Sequence, residues 1–139
     1  MRHASHRFGG AKILLHCQGM LLTYLRDDKP EIPFPALWDL PGGGAEADET
    51  PLECVLRETN EEFALTIPHA RITYSRAYPG NSGSNLQNWF FAAPILPEEI
   101  EGIKFGDEGQ YWQMMPINTY LSHPKAIPHM QDRIRDVLA

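Results

Sequence analysis

Glu58, Glu61 and Glu62 stand at i, i+3 and i+4, a spacing that puts three carboxylates on neighbouring positions of one helix face. Held together, they repel one another by a few tenths of a kcal/mol per pair. They are also the donors that Mg²⁺ prefers, a cation that keeps waters and bridges to substrate phosphates. For three glutamates taken alone, a solvated acidic face is the alternative. Ahead of them lies Gly42-Gly43-Gly44, where backbone can approach a ligand closely and amides can face oxyanions. The segment Gly42 to Leu65 carries seven acidic residues and one basic one, Arg57, while the rest of the chain has eleven of each. The whole formal charge of −6 therefore sits in this segment, and folding it without a cation against it is costly.

Glycines and glutamates together resemble the Nudix box, G-x5-E-x7-R-E-U-x-E-E-x-G-U, with U aliphatic. Laid over this sequence, the box glycine is Gly43, the first glutamate Glu49, the R-E pair Arg57-Glu58, the E-E pair Glu61-Glu62, and the last aliphatic position Leu65. Two positions depart. Thr59 stands where an aliphatic residue is usual, and its hydroxyl is expected to bond a backbone carbonyl one turn back. Ala64 replaces a glycine and would cost roughly 1 kcal/mol or more in a left-handed conformation. Trp38-Asp39-Leu40-Pro41-Gly42-Gly43 is similar to the lead-in common in that family, and Gly106-Asp107-Glu108-Gly109-Gln110 to a segment that supplies a further glutamate in MutT-like members.

The resemblance implies metal-dependent hydrolysis of a nucleoside diphosphate linked to another group X. It implies Glu58, Glu61 and Glu62 as metal ligands, joined by Glu108 (or, in its place, Asp107) and by the backbone at Gly43. Glu58 or Glu108 would be the general base, Arg57 would orient the glutamates, and Glu49 would stand behind the ligands. Mg²⁺ is the implied cofactor, with Mn²⁺ as a substitute. For the substrate, the candidates are Arg26, the backbone at Gly42 and Gly43, and Phe34, Trp38 and Tyr78 as stacking partners for a base. The aromatics equally suit a core.

Two substrate classes compete. The short chain and the Glu108 segment look like a MutT-type nucleoside triphosphate pyrophosphohydrolase. Pro79-Gly80, downstream of the box, instead suits an ADP-ribose or nucleotide-sugar pyrophosphatase. A non-catalytic nucleotide-binding regulatory domain is the third reading, disfavoured by the complete glutamate set. A small-molecule nucleotide is the expected partner, and the acidic balance argues against a nucleic-acid polymer. No apolar run reaches the ~20 residues needed to cross a bilayer, the N-terminus lacks a signal-peptide core, and a cytoplasmic monomer or homodimer is expected. Cys17 and Cys54 lack metal spacing and read as a reduced pair.

The elements that must position this chemistry follow from pattern. Thr50 caps a helix through Phe63, with Pro51 in its first position and Glu53 completing a capping box. Leu52, Val55, Leu56, Thr59 and Phe63 form its inward stripe. Strands are expected over Lys12–Cys17 and Met20–Leu25, hinged at Gln18-Gly19, then at Trp38–Leu40, Arg71–Tyr78, Leu86–Ala93 and Gln110–Met115. Pro79 to Asn85 reads as a turn or mobile loop, and residues 94–109 mostly as loop. Ile127, Met130, Ile134 and Val137 mark a terminal amphipathic helix. Residues 1–139 form a single expected domain, with 1–9 a flexible N-terminal segment. The fold class is α/β: a Nudix-type α/β/α sandwich with a mixed sheet, the loop-helix and a C-terminal helix.

Overall fold

The computed structural model describes residues 7–46, 48–80 and 85–139. The strand over Gly10–Cys17 (β1) lies at its centre. Its side chains alternate: Ile13 and Leu15 pack with Leu22, Val55, Phe63 and Phe91, while Leu14 packs on the other face with Leu21, Leu40, Phe90, Tyr120 and Ile134. A near-continuous apolar strand is what a sheet covered on both faces requires. Gln18 and Gly19, both at positive φ, turn β1 into β2, Met20–Leu25, as a two-residue hairpin needs.

Five more strands complete a seven-stranded sheet: β3 (Trp38–Asp39), β4 (Gly42–Gly44), β5 (Tyr74–Tyr78), β6 (Asn88–Pro94) and β7 (Tyr111–Pro116). β1 and β6 run parallel; every other pairing is antiparallel. The helix α1, Pro51–Phe63, covers one face. Two short helices follow, α2 (Pro97–Glu101) and α3 (Ile117–Ser122), and α3 covers the other face with the terminal helix α4, Pro128–Leu138. The three-layer α/β/α arrangement expected from the sequence is present.

Several local expectations need correction. The glycine triplet is a strand, because Gly10–Lys12 of β1 pairs with Gly44–Gly42. Only glycine fits at position 42, where φ is +134° and a Cβ would meet the Ala11 carbonyl oxygen at 2.0 Å. β5 begins at Tyr74, since His69–Arg71 forms a 3₁₀ turn first. Pro97 opens a helix inside the stretch read as loop. On α1 the buried residues are Cys54, Val55, Thr59, Glu62 and Phe63, with Leu52 and Leu56 only half-buried. Of the expected flexible N-terminal segment, residues 1–6 lie outside the described residues, but Phe8 is buried and the Gly9 N–H donates to the Gln87 carbonyl, so 7–9 are fastened to the sheet. Of the loop expected over Pro79–Asn85, residues 81–84 lie outside the described residues. Cys17 and Cys54 are both free thiols.

The two departures within the acidic segment have structural consequences. The Thr59 hydroxyl does not reach a carbonyl: its Oγ1 is buried with no hydrogen-bond partner among the described residues, a cost of about 1–3 kcal/mol. Ala64 ends α1 at φ 57°, ψ 35°, in the left-handed region, with its N–H on the Asn60 carbonyl. Replacing Ala64 by glycine should therefore raise unfolding stability by about 1 kcal/mol. Urea denaturation measures it, and an unchanged or lower stability would contradict the cap analysis.

Candidate active site

α1 is presented by its N-terminal cap. Thr50 Oγ1 accepts from the Glu53 N–H at 3.1 Å, and the Glu53 carboxylate accepts from the Thr50 N–H at 2.7 Å. From this anchored start Arg57 collects the acidic side chains around it. Its Nε and one terminal nitrogen donate to the two oxygens of Glu49, both at 2.9 Å. The other terminal nitrogen donates to Glu58 at 3.2 Å and to Glu61 at 3.1 Å. The Gly44 carbonyl accepts a further bond at 3.3 Å. Hydrogen bonds from Arg57 hold the Glu49 carboxyl down at about 2. Arg57 thus fastens β4 and the loop after it to the helix.

The three glutamates of the helix do not share one environment. Glu61 is 59% exposed in its side chain. Glu58 is mostly covered, and a Cβ placed on Gly43 would meet its carboxyl carbon at 2.6 Å, so a side chain there would displace the Glu58 carboxylate from its present position. Glu62 is buried and accepts from the Gly42 N–H at 3.2 Å. Burial pushes the Glu62 carboxyl up to about 8; Lys12 and the Gly42 N–H oppose that rise, while Glu58 and Glu108 add to it. Glu58 is raised as well, by burial first, then by Glu61 and Glu108 against the pull of Arg57. The exposed Glu108 therefore acts electrostatically on both.

Among the described residues, no three His, Cys, Asp or Glu side chains form a ready metal-ligating group. The donor chemistry nonetheless suits a hard divalent cation: carboxylates gathered beside the glycine strand, two of which, Glu58 and Glu62, have pKa values raised by burial that a cation would offset.

Beside this acidic corner a cavity of about 260 Å³ opens, bordered by Gly43 and Gly44. Its walls are cationic. Lys12 Nζ donates to Asp39 at 2.9 Å and to the Leu40 carbonyl at 3.1 Å, and Arg26 donates to the same Asp39 oxygen at 3.0 Å and to the Pro33 carbonyl. Burial opposes the charge on Lys12, but Asp39, Tyr24 and Glu62 more than offset it. Asp39, fully buried, is held below the usual carboxylate range by Lys12, the Leu40 N–H and Arg26.

Of the substrate candidates, Arg26, Phe34 and Gly43 border the cavity, Phe34 with its ring 5.4 Å from that of His129. Gly42 holds Glu62 and does not border the cavity. Trp38 is corrected: it is buried in the core against Tyr111 and His123, and its carbonyl accepts from Tyr120. Tyr78 lies at the back, its hydroxyl donating to Asp136 and its ring under Arg133. Sequence reasoning missed Lys12, Asp39 and Arg133. Each carried a signal: a lone charge opening an apolar strand, a lone acid between Trp38 and Leu40, and an arginine three residues beyond Met130 on the inward stripe of the last helix.

The NUDIX domain family matches residues 8–137, and the chain belongs to it, a member of the Nudix hydrolase family. Over 94 residues it is 36% identical to an RNA pyrophosphohydrolase of Gluconacetobacter diazotrophicus, covering 56% of this chain and 56% of that protein. The chain thus spans little more than half the length of that curated relative. Its fold is similar to that of a MutT protein from Methanosarcina mazei Go1, with TM-score 0.73, 19% identity, and 91% and 89% of the two chains covered. It is also similar to a bifunctional NMN adenylyltransferase/ADP ribose pyrophosphatase from Francisella tularensis complexed with AMP and Mn ion, with TM-score 0.76, 19% identity, and 95% of this chain and 41% of that one covered.

The raised Glu62 has a measurable consequence. Between its ordinary value of 4.5 and about 8, the folded protein keeps a proton that the unfolded chain releases. Stability without metal therefore falls as pH rises through that window. Glu62→Gln should remove most of the slope and, at pH 8 in EDTA, stabilise the fold by an amount on the order of 2–5 kcal/mol. A variant with the wild-type slope would contradict the burial argument.

Proposed function

We propose that this protein is a divalent-metal-dependent pyrophosphohydrolase that cleaves a nucleoside diphosphate linked to another group X. Its substrate is a nucleoside triphosphate, cleaved to the monophosphate and pyrophosphate. The observation that carries this reading is one juxtaposition: the backbone of Gly43 touches the Glu58 carboxylate on one side and borders a cationic cavity on the other. A diphosphate lying along that backbone has carboxylates able to hold a cation on one flank and Lys12 and Arg26 on the other.

Glu58 and Glu62 would hold Mg²⁺, with Glu61 and Glu108 completing the acidic surround and the backbone at Gly43 alongside. A bound divalent cation would supply the positive charge that offsets the charge developing as the phosphorus–oxygen bond breaks. Glu58 or Glu108 takes the proton of the attacking water as general base. That water's oxygen bonds to phosphorus, the bridging P–O bond breaks, and the bridging oxygen leaves with the second product. Arg57 keeps Glu58 and Glu61 in place from behind. Lys12, tied to Asp39 and the Leu40 carbonyl, steadies the strand edge on which the diphosphate rests.

The test is product analysis with Mg²⁺ over natural and 8-oxo nucleoside triphosphates, ADP-ribose, dinucleoside polyphosphates and NADH. Wild-type protein should release a monophosphate and pyrophosphate from at least one triphosphate, and EDTA should abolish this. Glu58→Gln and Glu62→Gln should each lower turnover by about 100-fold or more while remaining folded. Release of AMP and ribose phosphate from ADP-ribose alone would move the substrate to the nucleotide-sugar class. Near-wild-type turnover by either variant would overturn the assignment of its glutamate.

A further inference from the structure

The far wall of the cavity holds a charge that no anion among the described residues balances. Arg133, on α4, borders the cavity and is only 5% exposed. Among the described residues no carboxylate or carbonyl accepts from it, and the Tyr78 ring lies 4.8 Å from the guanidinium. The other cations of the cavity differ, because Lys12 and Arg26 share Asp39 at 2.9 and 3.0 Å. That trio already carries a net positive charge, and Arg133 adds another. His129, one helical turn back, contributes none, since burial and the Arg133 charge both push it towards the neutral form. A largely buried guanidinium that faces a cavity with no anion beside it is costly, and stacking on one tyrosine recovers only a small part of that.

We infer that Arg133 binds an anionic phosphate at the inner end of the cavity, so that the part of the substrate seated there ends in phosphate and not in a neutral base. This rests on the hydrolase reading for the outer end, where the diphosphate crosses Gly43, and adds the chemical class of what lies beyond it. A planar fork supported on one face by Tyr78 is suited to two parallel bonds to phosphate oxygens. The phosphate belongs either to the tail of a polyphosphate or to a sugar phosphate; the same guanidinium recognises both.

The test is calorimetric titration of metal-free protein in EDTA with three probes: inorganic pyrophosphate, ribose 5-phosphate and guanosine. Wild-type protein should bind at least one phosphate probe, and which one identifies the source. Arg133→Met should weaken that binding by about 10–100-fold, and Arg133→Lys, which keeps the charge without the fork, should lie between. Should the methionine variant fail to fold, judged by near-ultraviolet circular dichroism, the lysine variant decides alone. Unchanged affinity in the deciding variant, or guanosine binding that depends on Arg133, overturns the inference, as does wild-type protein that binds neither phosphate probe. Turnover with Mg²⁺, measured in parallel, keeps the two readings separate. An Arg133→Met enzyme with wild-type kcat/KM leaves the hydrolase standing and removes this site. Arg133-dependent phosphate binding without any turnover does the reverse.

Discussion

The structure depends on one cation placed among carboxylates. Arg57 is the single basic residue of the acidic segment, and its guanidinium spends its donors on Glu49, Glu58, Glu61 and the Gly44 carbonyl. Without it, like charges on neighbouring helix positions would spread the segment apart. With it, the loop, β4 and α1 become one unit, and the Gly42 N–H reaches the buried Glu62. The bidentate geometry to Glu49 is one that lysine could not reproduce. Arg57 leaves the segment strongly acidic, and that surplus is what a divalent cation would meet.

A second polar knot, of opposite charge, faces it across the glycine strand. Asp39 gathers Lys12, Arg26, the Tyr24 hydroxyl and the Leu40 N–H, joining β1, β2 and β3 where they border the cavity. An acidic helix and a cavity carrying Lys12, Arg26 and Arg133, separated by a strand of glycines, place opposite charges on the two sides of that strand. The lack of side chains on β4 is part of this design, since a Cβ at Gly43 would fall on the Glu58 carboxyl.

What the sequence made legible was local. The capping box, the Pro51 start, the charge-bearing spacing of the glutamates and the two-faced apolar run of β1 follow from short-range rules, and the α/β/α layering follows from them. Non-local facts were hidden. Gly42–Gly44 reads as a loop because glycine has no strand preference, and its pairing with β1 is decided by register with residues far away in sequence. Trp38 reads as a stacking surface until the parallel bridge to Ala126 and the Tyr120 hydrogen bond bury it. Arg133 sits 107 residues from Arg26 by position number, yet both border one cavity. Glu62 is legible as a carboxylate, but its burial emerges only once β4 closes over it.

The central claim is that the α1 carboxylates, pressed against the glycine strand, form a divalent-cation site. Titration with Mn²⁺ followed by electron paramagnetic resonance tests it most directly, comparing wild-type protein with Glu58→Gln and with Glu101→Gln, a change at an exposed carboxylate outside the acidic segment. The account predicts that wild-type protein and Glu101→Gln bind the ion alike and that Glu58→Gln loses most of that affinity. Equal binding by all three, or no binding by wild-type protein, would contradict it.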